Sequence, residues 1–187
     1  MDCPGDDELI RLYCEGDGDA LEALFDRHYV SVFNFARVML RDAEAAEEVL
    51  QDTFLAAARA APQYRGAGRF KAWLLAIARN RCLTRLIAEK ARTARLTRVD
   101  LALEDSPAPG DLPPQQLQAS ETAEAIRAAI GRLSDRQREA IALYAFEQMS
   151  CAQIAEVLDV PVNTVKTLIH RARASLARMI KGDDRGL

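Results

Sequence analysis

Cysteine is sparse in this chain, and Cys3, Cys14, Cys82 and Cys151 show neither a Cys-x-x-Cys pair nor a Cys/His ligand spacing. That argues against a zinc module and against a disulfide framework, and it fits free thiols in a reducing compartment. Histidine is rarer still: His28 falls on the amphipathic pattern of its helix, where a core or boundary imidazole is expected rather than a metal ligand. Aromatic residues make up only 6% against 49% hydrophobic residues, the balance of small helical domains rich in alanine and leucine. No apolar run approaches the roughly 20 residues that cross a bilayer. The opening Met1 to Ile10 is acidic and has no apolar signal-peptide core, so a soluble, intracellular, cytoplasmic protein is expected. Strand-like alternation and internal repeats are both missing. So are a glycine-rich phosphate loop followed by Lys and Ser/Thr, a Gly-x-Ser-x-Gly elbow and a His-Glu-x-x-His pair. Catalysis, a cofactor and a small-molecule substrate are therefore not expected.

What is present is clearest between Ser150 and Leu176. Ser150 and Gln153 have the spacing of a capping box, in which the hydroxyl and the amide satisfy orphan backbone N–H groups reciprocally. Ile154, Ala155 and Leu158 form a buried stripe, and Asp159-Val160-Pro161 stops the helix because proline cannot continue it. A second helix starts near Val162, with Val165, Ile169, Ala172 and Leu176 turned toward the first. Its other face gathers Asn163, Thr164, Lys166, Thr167, His170, Arg171 and Ala174. An apolar seam behind short polar and cationic side chains is the division a recognition helix needs in the major groove.

The net charge of −3 and pI near 5.5 look wrong for a polyanion ligand until the charges are placed along the chain. From Arg59 to Arg98 the sole acid is Glu89, among Arg65, Arg69, Lys71, Arg79, Arg81, Arg85, Lys90, Arg92 and Arg95. From Val162 to Lys181 there is none. The acids concentrate before Asp52 and between Asp100 and Asp159. Two basic surfaces on an acidic protein imply two separate contacts with a polyanion.

Helical periodicity runs from Asp7 to Arg95. Leu21, Leu24, Phe25, Tyr29, Val32, Ala36, Met39 and Leu40 share one face of a long helix, which Asp42 and Ala43 break. A second helix carries Glu47 to Phe54 and ends at Pro62; a loop with Gly66 and Gly68 follows. A third presents Phe70, Trp73, Leu74, Ile77, Ala78, Leu83 and Leu86 as its apolar stripe, with Arg69, Asn80, Arg81, Thr84 and Arg85 on its polar face. Tyr64 has two readings of equal weight, packing or base contact. The carboxylates Glu44, Glu47, Glu48 and Asp52 fit a solvated or partner-binding face better than a metal site, having no histidine beside them. Prolines and acids between Arg95 and Gln118 forbid a continuous helix, so an extended, mobile linker is expected there. A helix from about Ser120, a second capped by Ser134 and Gln137, the helix-turn-helix pair and a frayed end from Gly182 complete the expectation. The fold class is all-α: two small helical domains, residues 7–95 and 119–181, joined by a flexible acidic, proline-rich linker at 96–118.

Gln51-Asp52-Thr53-Phe54, Tyr64-Arg65-Gly66, Phe70-x-x-Trp73-Leu74-x-x-Ile77-Ala78-x-Asn80, Leu133-Ser134-x-Arg136-Gln137-Arg138-Glu139, Ile154 to Leu158, Thr164-Val165-Lys166 and Arg171-Ala172-Arg173 occur in that order. Taken together they resemble the extracytoplasmic-function sigma factors of bacterial RNA polymerase, over nearly everything from Asp19 to Met179. The helix-turn-helix alone is a weak signal; joined to the N-terminal pattern it is specific. The resemblance implies that Glu47, Glu48, Gln51, Asp52 and Phe54 grip core polymerase. It implies that Tyr64, Arg65, Arg69, Asn80, Arg81 and Thr84 serve the −10 element, where a flipped base is captured. It implies −35 reading by Asn163, Thr164, Lys166, Thr167, His170 and Arg171, and an acidic linker threaded toward the polymerase cleft. Promoter DNA, core polymerase and an anti-sigma factor, free or anchored in the inner membrane, are the partners it implies, for a stress- or metal-responsive regulon. Thr84, Asn163, Leu168 and His170 depart from the common family pattern, so the promoter sequence does not carry over. Two other readings stay open: a mimic that sequesters an anti-sigma factor, and a stand-alone repressor. The intact basic faces weigh against the first, and the lack of a heptad seam for dimer pairing weighs against the second.

Overall fold

The computed structural model describes residues 4–99 and 129–183, and every regular element among them is helical. The chain divides into two compact units, Met1–Asp111 and Leu112–Leu187. The expected linker beyond Val99 and the helix start near Ser120 lie outside the described residues.

Four helices build the first unit: α1 (Asp6–Cys14), α2 (Gly18–Leu40), α3 (Ala43–Ala60) and α4 (Phe70–Val99). Each start has a local cause. Asp17 caps α2 by accepting the Asp19 N–H at 3.0 Å, and Asp42 caps α3 through the Ala45 N–H at 2.9 Å. The break between α2 and α3 falls one residue before the expected Asp42-Ala43. Arg41 ends α2 in the left-handed conformation at φ 61°, and Asp42 already belongs to the next cap. α3 gives way to a short 3-10 turn at Ala61–Gln63, where Pro62 sits. α4 runs four residues past Arg95, as far as Val99.

α2 packs on α3, and α4 covers both. The buried stripe of α2 is Ala20, Leu24, His28, Val32, Phe35, Ala36 and Met39. This corrects the expected face. Phe25 and Tyr29 stay outside, 36% and 43% exposed, while Phe35 is inside at 1%. The two outer rings stack on each other at 5.8 Å, and Phe25 also leans on Phe54 at 4.8 Å. His28 takes the interior place because a partner satisfies it: its Nε2 lies 2.8 Å from Asp6 Oδ2. Burial holds this imidazole below its ordinary pKa, and Asp6 pulls in the opposite direction. On α4 the buried apolar positions are Phe70, Ala72, Leu74, Leu75, Ala78 and Cys82, and Arg79 is buried beside them. Trp73, Ile77, Leu83 and Leu86, expected on that stripe, are only half-buried.

The second unit contains α5 (Asp135–Ile141), a π-helical turn at Ala142–Phe146, α6 (Cys151–Leu158) and α7 (Val162–Asp183). Ser134 stands at the start of α5, yet its side chain makes no capping bond, contrary to the expected Ser134/Gln137 cap. The Arg138 guanidinium, 5% exposed, instead donates to the Leu133 carbonyl at 3.0 Å. It also reaches the Gly131 carbonyl at 3.4 Å, so it ties down the end of the preceding helical turn. α5 and α6 pack on α7. α7 remains helical through Gly182 and Asp183, into the segment expected to fray.

Cys14, Cys82 and Cys151 are free thiols, and Cys3 lies outside the described residues. Among the described residues no helix is long and apolar enough to cross a membrane.

Candidate nucleic-acid interface

The capping box that opens α6 is complete. Ser150 Oγ accepts the Gln153 N–H at 3.3 Å, and Gln153 Oε1 accepts the Ser150 N–H at 2.9 Å. Ser150→Ala is expected to cost about 1 kcal/mol of stability, read as a lower urea midpoint at unchanged slope. α6 ends with Asp159 in the left-handed region at φ 52° and ψ 54°, a conformation that aspartate tolerates better than most residues. Pro161 follows, and its carbonyl accepts the N–H groups of Thr164 at 2.9 Å and Val165 at 3.3 Å as α7 starts. Ile154, Val157 and Leu158 of α6 are buried, as are Val165, Ile169 and Ala172 of α7; Leu176 is half-buried. With the seam filled, Asn163, Thr164, Lys166, Thr167, His170 and Arg171 are all exposed. The Thr167 hydroxyl donates to the Asn163 carbonyl at 2.9 Å, one turn back along its own helix.

In the first unit the loop between the 3-10 turn and α4 is held from a distance. Asp7 of α1 accepts the Tyr64 O–H at 2.7 Å on Oδ1 and the Gly68 N–H at 2.7 Å on Oδ2. The Tyr64 ring meets Trp73 at 5.0 Å and stands edge-on to Phe70 at 5.7 Å. Burial, reinforced by the hydrogen bond to Asp7, raises the Tyr64 phenol well above its usual pKa. Of its two readings Tyr64 thus has a definite packing role, and its donor is engaged. Arg65 and Arg69 beside it are exposed, as are Asn80, Arg81 and Thr84 on α4. The Thr84 hydroxyl donates to the Asn80 carbonyl at 2.9 Å.

Glu47, Glu48, Gln51 and Asp52 line the exposed side of α3. Phe54 does not join them. It is 7% exposed and packed against Phe25, so its ring lies beneath this face rather than on its exposed side. Glu48 forms an ion pair with Arg85 of α4. Both side chains are well exposed, so the pair adds little stability. Among the described residues no three His, Cys, Asp or Glu side chains come together in a way that could hold a metal ion.

Sequence pattern missed Asp7, because an acidic residue in the first turn of a helix is normal for its dipole and nothing nearby marks a partner 61 residues away. It also missed the second aromatic surface, Tyr144 and Phe146 on the π-helical turn, which are 40% and 51% exposed.

Comparison with known proteins matches residues 24–92 to sigma-70 region 2 and residues 123–176 to sigma-70 region 4. The chain is 36% identical over 175 residues to the ECF RNA polymerase sigma factor SigM of Mycobacterium tuberculosis (strain H37Rv), covering 94% of this chain and 84% of that protein. It is 30% identical over 181 residues to the ECF RNA polymerase sigma factor SigW of Bacillus subtilis (strain 168), covering 92% and 95%. Among solved structures it is similar to CnrH in complex with the cytosolic domain of CnrY, with a TM-score of 0.71, 28% identity and coverage of 95% and 98%. The sigma factor RpoE of Bartonella quintana, solved with the anti-sigma factor NepR, shares the fold at a TM-score of 0.66, 23% identity and coverage of 86% and 96%. With both sigma regions present in order and relatives matched along almost their whole length, the chain belongs to the extracytoplasmic-function sigma factors of the sigma-70 family.

Proposed function

We propose that this sigma factor joins core RNA polymerase through the α3 face of Glu47, Glu48, Gln51 and Asp52. It reads the −35 element with α7 and captures the −10 element with the Tyr64–Gly68 loop, Arg69 and the exposed Asn80, Arg81 and Thr84 of α4. In this reading residues 7–95 form the region 2 domain, 96–118 the linker and 119–181 the region 4 domain. The observation that carries it is the division of α7: Val165, Ile169 and Ala172 are buried, while Lys166, Thr167, His170 and Arg171 are offered to solvent. A helix seated by its seam and cationic on its open face suits the width and the acceptor pattern of the major groove.

The solved CnrH–CnrY complex supports a protein regulator for this chain as well: an anti-sigma factor, cytosolic or anchored in the inner membrane, that restrains it. Action in the cytoplasm and transcription of a stress- or metal-responsive regulon complete the proposal. The sigma factor supplies recognition, and the chemistry of RNA synthesis belongs to the core enzyme.

Multi-round transcription with sigma-free core polymerase on the promoter of the protein's own operon tests it. Specific initiation that disappears when either element is scrambled is the expected result; failure to bind core would sink it in favour of an anti-sigma-sequestering mimic. Within that assay Arg171→Ala is expected to cost about 1–3 kcal/mol at the base pair it contacts. Normal initiation by this variant on every promoter would remove Arg171 from the −35 face.

A further inference from the structure

The reading above gives no task to Asp7, which lies on α1, ahead of the residues matched by sigma-70 region 2. The loop it touches has a costly shape. Gly66, Ala67 and Gly68 follow one another at φ 74°, 76° and 68°. Glycine accepts that region freely, but Ala67 carries a Cβ and holds it only where surrounding structure over-determines the backbone. Asp7 supplies that constraint by engaging both ends of the loop, Tyr64 through its hydroxyl and Gly68 through its backbone N–H, each at 2.7 Å. Both carboxylate oxygens are occupied, and hydrogen bonds to a charged acceptor are the stronger kind.

Asp7 is itself held firmly. Leu9 and Ile10 bury α1 against its neighbours, at 3% and 5% exposure. The adjacent Asp6 accepts from Arg27 Nη1 at 2.5 Å and meets His28 Nε2 at 2.8 Å, fixing the start of α1 to the middle of α2. The line of support thus runs from the core of α2 through Asp6 and Asp7 to the loop.

We infer that Asp7 is a positioning residue for promoter recognition: it sets the loop conformation in which a −10 base is taken, so that α1 contributes to specificity without touching DNA. The inference rests on the −10 assignment of this loop. The experiment compares Asp7→Ala, Tyr64→Phe and Asn80→Ala, each with saturating core polymerase, on the native promoter and on promoters changed at single −10 bases. Asp7→Ala is expected to lower discrimination between −10 bases by about tenfold, the worth of a hydrogen bond to a charged group, while −35 dependence is kept. Tyr64→Phe, which leaves the Gly68 anchor, loses less. A purely structural loss would reduce output from all promoters by one factor and leave the ratio intact.

The free protein gives a second readout. Trp73 is the single tryptophan of the chain and lies 5.0 Å from the Tyr64 ring, so its emission is expected to change in Asp7→Ala when that ring is released. Should Asp7→Ala not fold, Asp7→Asn has nearly the same shape with one acceptor oxygen and takes its place in both assays. Lost discrimination in Asn80→Ala with a normal ratio in the Asp7 variant overturns the inference and leaves the −10 site standing. Normal ratios in all three variants remove the −10 assignment, and the inference with it.

Discussion

Phe35→Ala is expected to lower the unfolding free energy of the first unit by about 3–5 kcal/mol. The ring is 1% exposed on the inner face of α2, where α3 and α4 both pack. Truncation removes the transfer free energy of a whole aromatic side chain and leaves a cavity that neighbouring helices fill only in part. Domains of this size are stable by about 5–15 kcal/mol, so the variant would lose a large share of its margin. Urea unfolding followed by Trp73 emission measures it directly, because that residue reports from α4 of the same unit. Tyr29→Ala, at a site 43% exposed, is expected to shift the midpoint far less. Equal losses at the two positions would mean that the burial assigned to α2 is wrong.

Val165→Asp is the second large effect, and its neighbour makes the comparison. Val165 is 0% exposed in the seam between α6 and α7, and Lys166, the next residue, stands in solvent. A carboxylate at the first position is stripped of water in a seam whose buried members are Ile154, Val157, Leu158, Ile169 and Ala172. Such an uncompensated buried charge costs on the order of 3–5 kcal/mol. The expected outcome is loss of −35-dependent transcription together with loss of helical signal in far-UV circular dichroism. Lys166→Ala is expected to weaken −35 recognition with the helical signal intact. If Val165→Asp kept both its helicity and its promoter selectivity, α7 could not be seated as described.

The contrast between these two sites and the α2 error shows which signals the sequence carries. The α6 capping box, the break after α6 and the helix-turn-helix were legible because each depends on residues within a few positions: Ser150 with Gln153, Asp159 before Pro161, and the spacing of Val165, Ile169 and Ala172; the Ser134 cap, read by the same rule, does not form. The face of α2 departs from its hydrophobic pattern because hydrophobicity favours Phe25 and Tyr29, whereas burial favours Phe35. His28 lies inside as its helical spacing predicts; what that spacing could not show is the Asp6 carboxylate of α1 that satisfies it. The burial of Phe54 is hidden for a related reason. Gln51 and Asp52 of its motif are exposed, but its own ring packs against Phe25. The Asp7 contacts span 57 and 61 residues and were invisible for the same cause. Two helical units and their order could be read from the chain, while the ties that shape the loop needed coordinates.

Thr84 and Thr167 share a detail that bears on what each can offer a nucleotide. Each spends its hydroxyl proton on the carbonyl four residues earlier, Asn80 and Asn163 respectively. Neither can donate outward without giving up that internal bond. What remains is an oxygen lone pair and a methyl group, and threonine methyls are among the groups that pack against the C5-methyl of thymine. Serine at either position would keep the same internal bond and subtract only the methyl, which isolates the apolar part of the contact from everything polar around it.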